Sequence, residues 1–166
     1  MILAVDVHYA DDSAYVAGVL FSSWQSKSAE REYTSMLSKV ADYEPGNFYK
    51  RELPCILRLL SEHRLEPECI VIDGYVFLDG SSSPGLGKHL YDALNATTPV
   101  VGVAKKPFRG ITENYQVFRG ASKRPLYVTA AGIPLDEAKR HVQGMSGTSR
   151  IPELLKRTDQ LCRGNR

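Results

Sequence analysis

Two acidic side chains close apolar runs in this chain, and that pairing is its first chemical feature. Cys69-Ile70-Val71-Ile72-Asp73-Gly74 begins as a buried strand and ends on a carboxylate. Met1-Ile2-Leu3-Ala4-Val5-Asp6-Val7 has the same design. A carboxylate at the end of a buried strand needs a counter-charge, because an isolated buried charge is costly. Many Asp-Gly strand ends do no more than make a turn. Two such strands side by side, however, bring both carboxylates together, where both stay charged only with a cation between them. A divalent metal is one such cation and a basic side chain is the other. The expectation taken from the pair is a Mg²⁺ site to which the rest of the chain brings a polynucleotide, with a salt bridge to a basic side chain as the alternative.

Further charged residues fall where they could join that site. Glu52 sits at or just before a helix whose first turn takes Pro54 and whose Ile56, Leu57, Leu59 and Leu60 recur at helical spacing. An acid there is favoured by the exposed amides of the helix start; the alternative is a third carboxylate facing the metal. Lys105-Lys106 follow the apolar run Pro99-Val100-Val101-Gly102-Val103-Ala104. A lysine at that sheet end either ion-pairs with the aspartates or stabilises charge developing on a phosphate. Asp136 and Glu137 fall in the first turn of a helix predicted over residues 134–145, where acids are favoured for structural reasons alone.

The elements that must position these residues form one α/β domain over residues 1–166. Residues 1–9 read as a strand, Asp11-Asp12-Ser13 as a turn, and residues 14–24 and 30–40 as two more strands of an antiparallel meander. Pro45-Gly46 marks a turn before the Glu52 helix. Residues 69–73, 85–95 and 99–104 make a parallel strand–helix–strand unit. Residues 115–119 and 126–130 read as a hairpin-like pair joined by a basic turn, and residues 134–145 and 151–162 as amphipathic helices. The stretch Gly80-Ser81-Ser82-Ser83-Pro84-Gly85-Leu86-Gly87-Lys88-His89 is not a Walker loop, since Ser82 and His89 break the pattern. Its glycines, Gly80 first, could still approach a phosphate backbone.

Composition bounds the rest. Apolar residues make up 43% of 166 and charged residues 24%, ordinary for a globular protein with its own core. No apolar run approaches membrane-spanning length, and Asp6 interrupts anything like a signal peptide. Three cysteines, Cys55, Cys69 and Cys162, have no close spacing and suit free thiols in a cytoplasm. Net charge is +2, but residues 105–166 hold thirteen Lys/Arg against five Asp/Glu, whereas residues 1–104 hold eight against fourteen. An acidic half for a metal and a basic half for phosphates is a reasonable division for a nuclease.

Taken in order, several segments resemble the endonuclease V family. They are Val5-Asp6-Val7-His8-Tyr9, Tyr43-Glu44-Pro45-Gly46-Asn47 continuing through Glu52-Leu53-Pro54, Val71-Ile72-Asp73-Gly74, Val101-Gly102-Val103-Ala104-Lys105-Lys106, and Arg124-Pro125-Leu126-Tyr127-Val128-Thr129. Arg150-Ile151-Pro152-Glu153 resembles a segment near the family's C-terminus. The resemblance implies an RNase H-like mixed sheet, an antiparallel meander plus parallel strands, flanked by helices. It also implies an endonuclease that cuts DNA or RNA near a deaminated base, chiefly inosine, with Mg²⁺ or Mn²⁺ in its place and no nucleotide cofactor. By position, Asp6 and Asp73 match the central metal carboxylates, Glu52 the third acid and Lys105 the catalytic lysine. Tyr43, Pro45 and Gly46 match the wedge that fills the space left by the damaged base. Lys106, Arg109, Lys123 and Arg124, with Gly80, are expected to track phosphates.

The chain departs from the family pattern at two places. The family reads Asp-Gly-x-Gly and then a histidine pair or His-Pro after the central strand. Here Tyr75-Val76-Phe77-Leu78-Asp79-Gly80 follows Asp73-Gly74 with no histidine. The Gly-His pair after the late strand is replaced by Ala131-Gly132. Asp79 and Asp136 are the candidate substitutes as metal ligands. A second reading follows from the missing histidines: a nucleic-acid-binding module of the same fold, impaired in cleavage.

Overall fold

The computed structural model describes residues 1–38 and 49–164; Tyr43, Pro45 and Gly46, the expected wedge, lie outside the described residues. In chain order the elements are β1 (Ile2–Ala10), β2 (Ser13–Phe21), β3 (Arg31–Ser38), α1 (Tyr49–Glu62), β4 (Cys69–Asp73), α2 (Leu86–Ala93), β5 (Val100–Ala104), β6 (Gln116–Val117), β7 (Leu126–Ala131), α3 (Leu135–Gln143) and α4 (Glu153–Cys162). The strands form one sheet in the order β3-β2-β1-β4-β5-β7-β6. β1, β4 and β5 are parallel, with Val5 opposite Ile72 and Asp73 opposite Val103. β2 and β3 extend the sheet antiparallel beyond β1, and β7 and β6 do so beyond β5.

The central strands are apolar throughout because helices cover both faces of the sheet. Leu3, Val5, Ile70, Ile72 and Val100 face one way and pack against Ile56 and Leu59 of α1 and Leu90 of α2. Ile2, Ala4, Val71, Val101 and Val103 face the other way, against Val142 of α3 and Leu154 and Leu161 of α4. This alternation sets the direction of the site residues. Asp6, Asp73 and Lys105 continue the set that faces α4, since side chains two apart on a strand share a face.

Three boundaries differ from the sequence reading. α1 starts at Tyr49, so Glu52 falls in its first turn and Pro54 lies inside the helix. A helix-interior proline costs about 3 kcal/mol, whereas burying each of Cys55, Ile56, Leu59 and Leu60 returns roughly 1.5–3 kcal/mol per large apolar side chain. The apolar stripe therefore decides. β2 ends at Phe21, short of Trp24, because the Ser26 hydroxyl accepts from the Ser23 amide and Ser26 N–H donates to the Ser23 carbonyl, closing a turn. β6 is only two residues long. Tyr115 belongs to the preceding 3₁₀ turn, and Arg119 is drawn off to the loop before α4, donating to the carbonyls of Met145 (2.6 Å), Ser149 (2.9 Å) and Gly147 (3.1 Å).

Candidate metal centre and nucleic-acid face

The parallel register of β1 and β4 carries Asp6 and Asp73 to the same rim of the sheet, one strand apart. Lys105 follows β5 directly and sets its Nζ 3.6 Å from Asp73 Oδ2. The three line a narrow cavity of about 20 Å³ closed on its far side by Ile151, Leu155 and Thr158, the latter two from α4. That volume holds about one water or a small ion. Glu52 comes to the same rim from the opposite face of the sheet. Arg51 lies over the Tyr9 ring at 3.7 Å, which pins the first turn of α1 to β1 and turns Glu52 inward until it is 8% exposed.

The electrostatics of this rim are those of crowded anions. Burial, then the facing Asp73, push the Asp6 carboxyl up to about 7, although the Val7 amide donates to Asp6 Oδ1 at 2.9 Å. Burial, then Asp6 and Asp73, push Glu52 well above the ordinary carboxylate range, with Arg51 opposing. Asp73 is also raised by burial, and Lys105 pulls it back. Among the described residues, Lys105 and Arg51 face Asp6, Asp73 and Glu52, so the set carries one negative charge in excess when all three carboxyls are ionised. A divalent cation with hard oxygen donors would neutralise that excess. The residues present therefore fit such an ion.

A fourth carboxylate lies beside Asp6. Asp159 of α4 has a ligand oxygen that lies with those of Asp6 and the Cys162 sulfur, all within 4.8 Å of one another. Cys162 is not an ionised thiol here: burial, then Asp6 and Asp159, push it up to about 12. Arg163 donates from Nε to Asp159 Oδ1 at 2.9 Å. Asp159 was missed in the sequence because it sits mid-helix with no strand end to mark it. No sequence signal marked it; the burial of its α4 neighbours Thr158 and Cys162 is what shows this stretch of the helix turned to the sheet.

The two expected substitute ligands are elsewhere. Asp79 turns its carboxylate into its own loop, where Oδ1 accepts from the amides of Ser81 (3.1 Å), Ser82 (2.8 Å) and Ser83 (2.9 Å) and Oδ2 from the Ser82 hydroxyl. Those bonds hold its pKa below the usual carboxylate range. Asp136 opens α3, which departs from the far end of the sheet, where Ala131 of β7 pairs with Val100 at the start of β5. It is exposed and lines a shallow cleft with Lys139 and Phe118.

The phosphate-loop expectation for Gly80 is also corrected. The Ser81–Ser83 amides are taken by Asp79. The amides of Gly85 and Lys88 donate to the Val76 carbonyl, and that of Gly87 to Tyr75. Gly80 is buried, with φ +96°, and a Cβ there would meet the Tyr115 ring at 2.2 Å. Its role is to pack a turn beneath an aromatic ring. The basic residues fare differently. Lys106 and Arg109 lie exposed on the loop after Lys105. Lys123 and Arg124 lie exposed before β7, whose Tyr127 pairs with Ala104 at the same end of the sheet.

This mixed sheet, covered on both faces and carrying acidic side chains at the rim of its parallel strands, defines a protein of RNase H-like fold. The chain belongs to the endonuclease V family, whose sequence model matches residues 1–124. α4 and Asp159 lie beyond that match. The endonuclease V of Streptomyces avermitilis is 29% identical over 186 aligned positions, covering 98% of this chain and 79% of that protein. A crystal structure of endonuclease V from that organism superposes with a TM-score of 0.79 at 29% identity, over 98% of this chain and 79% of the other. Endonuclease V of Ciona intestinalis, crystallised with a 24mer DNA containing an inosine followed by a ribo-adenosine, superposes with a TM-score of 0.81 at 20% identity, over 98% and 84% of the two chains. Membership makes the chain a nuclease of the hydrolase class. Among the described residues no helix is long and apolar enough to cross a membrane.

Proposed function

We propose that this protein is a divalent-metal-dependent endonuclease that hydrolyses a phosphodiester bond near a deaminated base, inosine, in DNA or RNA, in nucleic-acid repair or processing. The observation that carries the reading is the confrontation of Asp6, Asp73 and Glu52 across one rim, with the Lys105 ammonium 3.6 Å from Asp73. The inosine-containing DNA held by the Ciona relative supports the substrate class. Asp6 and Asp73, with Asp159 beside them, would hold Mg²⁺, or Mn²⁺ in its place. The ion, when bound, supplies polarisation of the scissile phosphate and a more acidic water.

The side chains supply the remaining chemistry. Glu52, once ionised, is a stronger base than an ordinary carboxylate and is suited to accept the proton of the attacking water. Lys105 offsets the negative charge that grows on the phosphate. Lys106, Arg109, Lys123 and Arg124 hold the strand by its phosphates. Tyr43, Pro45 and Gly46 support the gap left by an unstacked base. Three buried free cysteines suit work in a reducing cytoplasm.

The test is cleavage of labelled DNA and RNA strands, each with a single inosine, in Mg²⁺ and in EDTA. Wild-type protein cuts in Mg²⁺ only, and Asp73→Ala does not cut. Binding by both proteins with no cut by either would instead favour the cleavage-impaired module that the missing histidines suggest.

A further inference from the structure

Of the large apolar side chains left exposed, Phe108 differs in how it is held. It lies on the loop after Lys105 and is 45% exposed. The phenol of Tyr75 donates to the Lys106 carbonyl at 2.7 Å and accepts from the Phe108 amide at 3.1 Å. The Tyr75 and Phe108 rings meet edge to face, centroids 6.1 Å apart at 61°. The Ile111 amide donates to the Phe108 carbonyl at 3.0 Å, closing the turn on its other side. Isolated surface phenylalanines are common and need no explanation. One whose backbone is fixed on both sides, with its ring left open, is a built surface.

The chain on either side of Phe108 is cationic. Lys106 and Arg109, both exposed, flank it in the chain. A solvent-facing aromatic on a loop with exposed cations is the arrangement on which unpaired bases stack, since every base has a π-face and its phosphate needs a counter-charge. The position also suits the site. Tyr75 lies two residues past Asp73, and Phe108 three past Lys105. Three residues span at most about 10 Å, so the Phe108 backbone lies within that reach of Lys105.

We propose that Phe108, propped by Tyr75, is the platform on which an unpaired base of the bound strand stacks beside the scissile phosphate. This rests on the nuclease reading above. The platform favours a strand that is single or locally opened, because a base still paired within a duplex has no free face to offer.

The experiment is binding of a fluorescent single strand containing inosine, measured in Ca²⁺ so that no cutting intervenes. Wild type is compared with Phe108→Ala, Phe108→Leu, Phe108→Trp and Tyr75→Phe. Phe108→Ala and Phe108→Leu are expected to weaken single-strand binding by about tenfold, within the range that one base–aromatic stack supplies. Phe108→Trp keeps the affinity, and its indole emission is quenched by the strand. The single native tryptophan, Trp24, stacks on His141 at the other end of the sheet and gives a constant background. Tyr75→Phe retains the ring contact but loses both hydrogen bonds, and falls between. Tight binding by wild type and Phe108→Leu alike, or unchanged emission in Phe108→Trp, overturns the platform and leaves the nuclease reading standing. Failure of wild type to bind any strand overturns both.

Discussion

The Arg150 guanidinium donates from Nη2 to the main-chain carbonyls of Lys105 and, at 2.8 Å, Pro125, and from Nε to that of Arg124 at 3.1 Å. One side chain thus joins the end of β5, the entry to β7 and the loop that leads into α4. These are the segments that aim Lys105 and carry Asp159. Arg150→Ala should lower the single-turnover cleavage rate by about tenfold to a hundredfold, since misplacing a reacting group by about 1 Å costs on the order of a hundredfold. Arg150→Lys should rescue little, because an ammonium on a flexible stem does not reproduce a planar fork reaching several acceptors. A full rate in Arg150→Lys would show that Lys105 is aimed by other contacts.

Lys105 itself is expected to act on charge that grows during the reaction. Lys105→Ala should reduce the cleavage rate by about a hundredfold or more, the size of a lost electrostatic contact to a transition state, while strand affinity changes little. Its neighbour Asp73 then loses the ammonium that offsets it. Matching losses in rate and affinity would move Lys105 into the group that merely positions the strand.

Asp159 offers a separate check, because it reaches the rim from the other end of the chain. Asp159→Asn keeps shape and removes charge. The Mg²⁺ concentration for half-maximal cleavage should rise by about tenfold, the scale on which a group at or next to a metal ligand sets affinity. An unchanged Mg²⁺ dependence would leave Asp159 as nothing more than the partner of Arg163.

Asp6, Asp73 and Lys105 were legible in the sequence because their cue is local: a short apolar run followed by a charge. The parallel unit that sets them side by side follows from the strand–helix–strand spacing across residues 69–104. Asp159 had no such cue, since a carboxylate inside an amphipathic helix looks the same whether it faces solvent or a sheet rim. The contacts of α4 with β1 and β2 alone decide it. Asp79 and Gly80 misled for the converse reason. A serine-rich loop with glycines offers amides to a phosphate in the abstract, but here a carboxylate within the loop already accepts them. Pro54 misled because local chemistry favours the first turn, whereas burial of the stripe behind it set the helix start at Tyr49.

The turn after Asp73 depends on a contact that no local signal announced. The buried Val76 amide donates to the Thr129 hydroxyl of β7 at 2.8 Å, passing over Gly102 of β5, where a Cβ would meet the Gly74 carbonyl oxygen at 2.5 Å. Thr129→Val preserves volume and orphans that amide, a loss of about 1–3 kcal/mol. The melting temperature should fall by roughly 2–10 °C for a domain of this size. Gly102→Ala should be at least as damaging, since the nearest obstructing atom is the backbone carbonyl oxygen of Gly74. Circular-dichroism melts of the two variants check both. A Thr129→Val protein as stable as wild type would mean that the Val76 amide finds another acceptor.

The crowded carboxylates also fix how stability responds to pH and metal. Asp6 and Glu52 bind their protons more tightly in the folded chain than in the unfolded one. As pH rises above the ordinary carboxylate range, the unfolded chain has already released protons that the folded chain still holds. Stability therefore falls with rising pH through the raised value of about 7 for Asp6. In EDTA the melting temperature should drop between about pH 5 and about pH 8 as the folded-state carboxyls ionise against one another. Mg²⁺ binds their ionised form only when they are gathered by folding, so its stabilising effect should grow over the same interval. Asp6→Asn removes one of the repelling charges and should melt higher than wild type in EDTA near pH 8, while gaining less from Mg²⁺. Thermal melts on a grid of pH and Mg²⁺ measure all of this. A wild-type curve in EDTA that is flat or rises toward alkaline pH, and is indifferent to Mg²⁺, would falsify the metal centre.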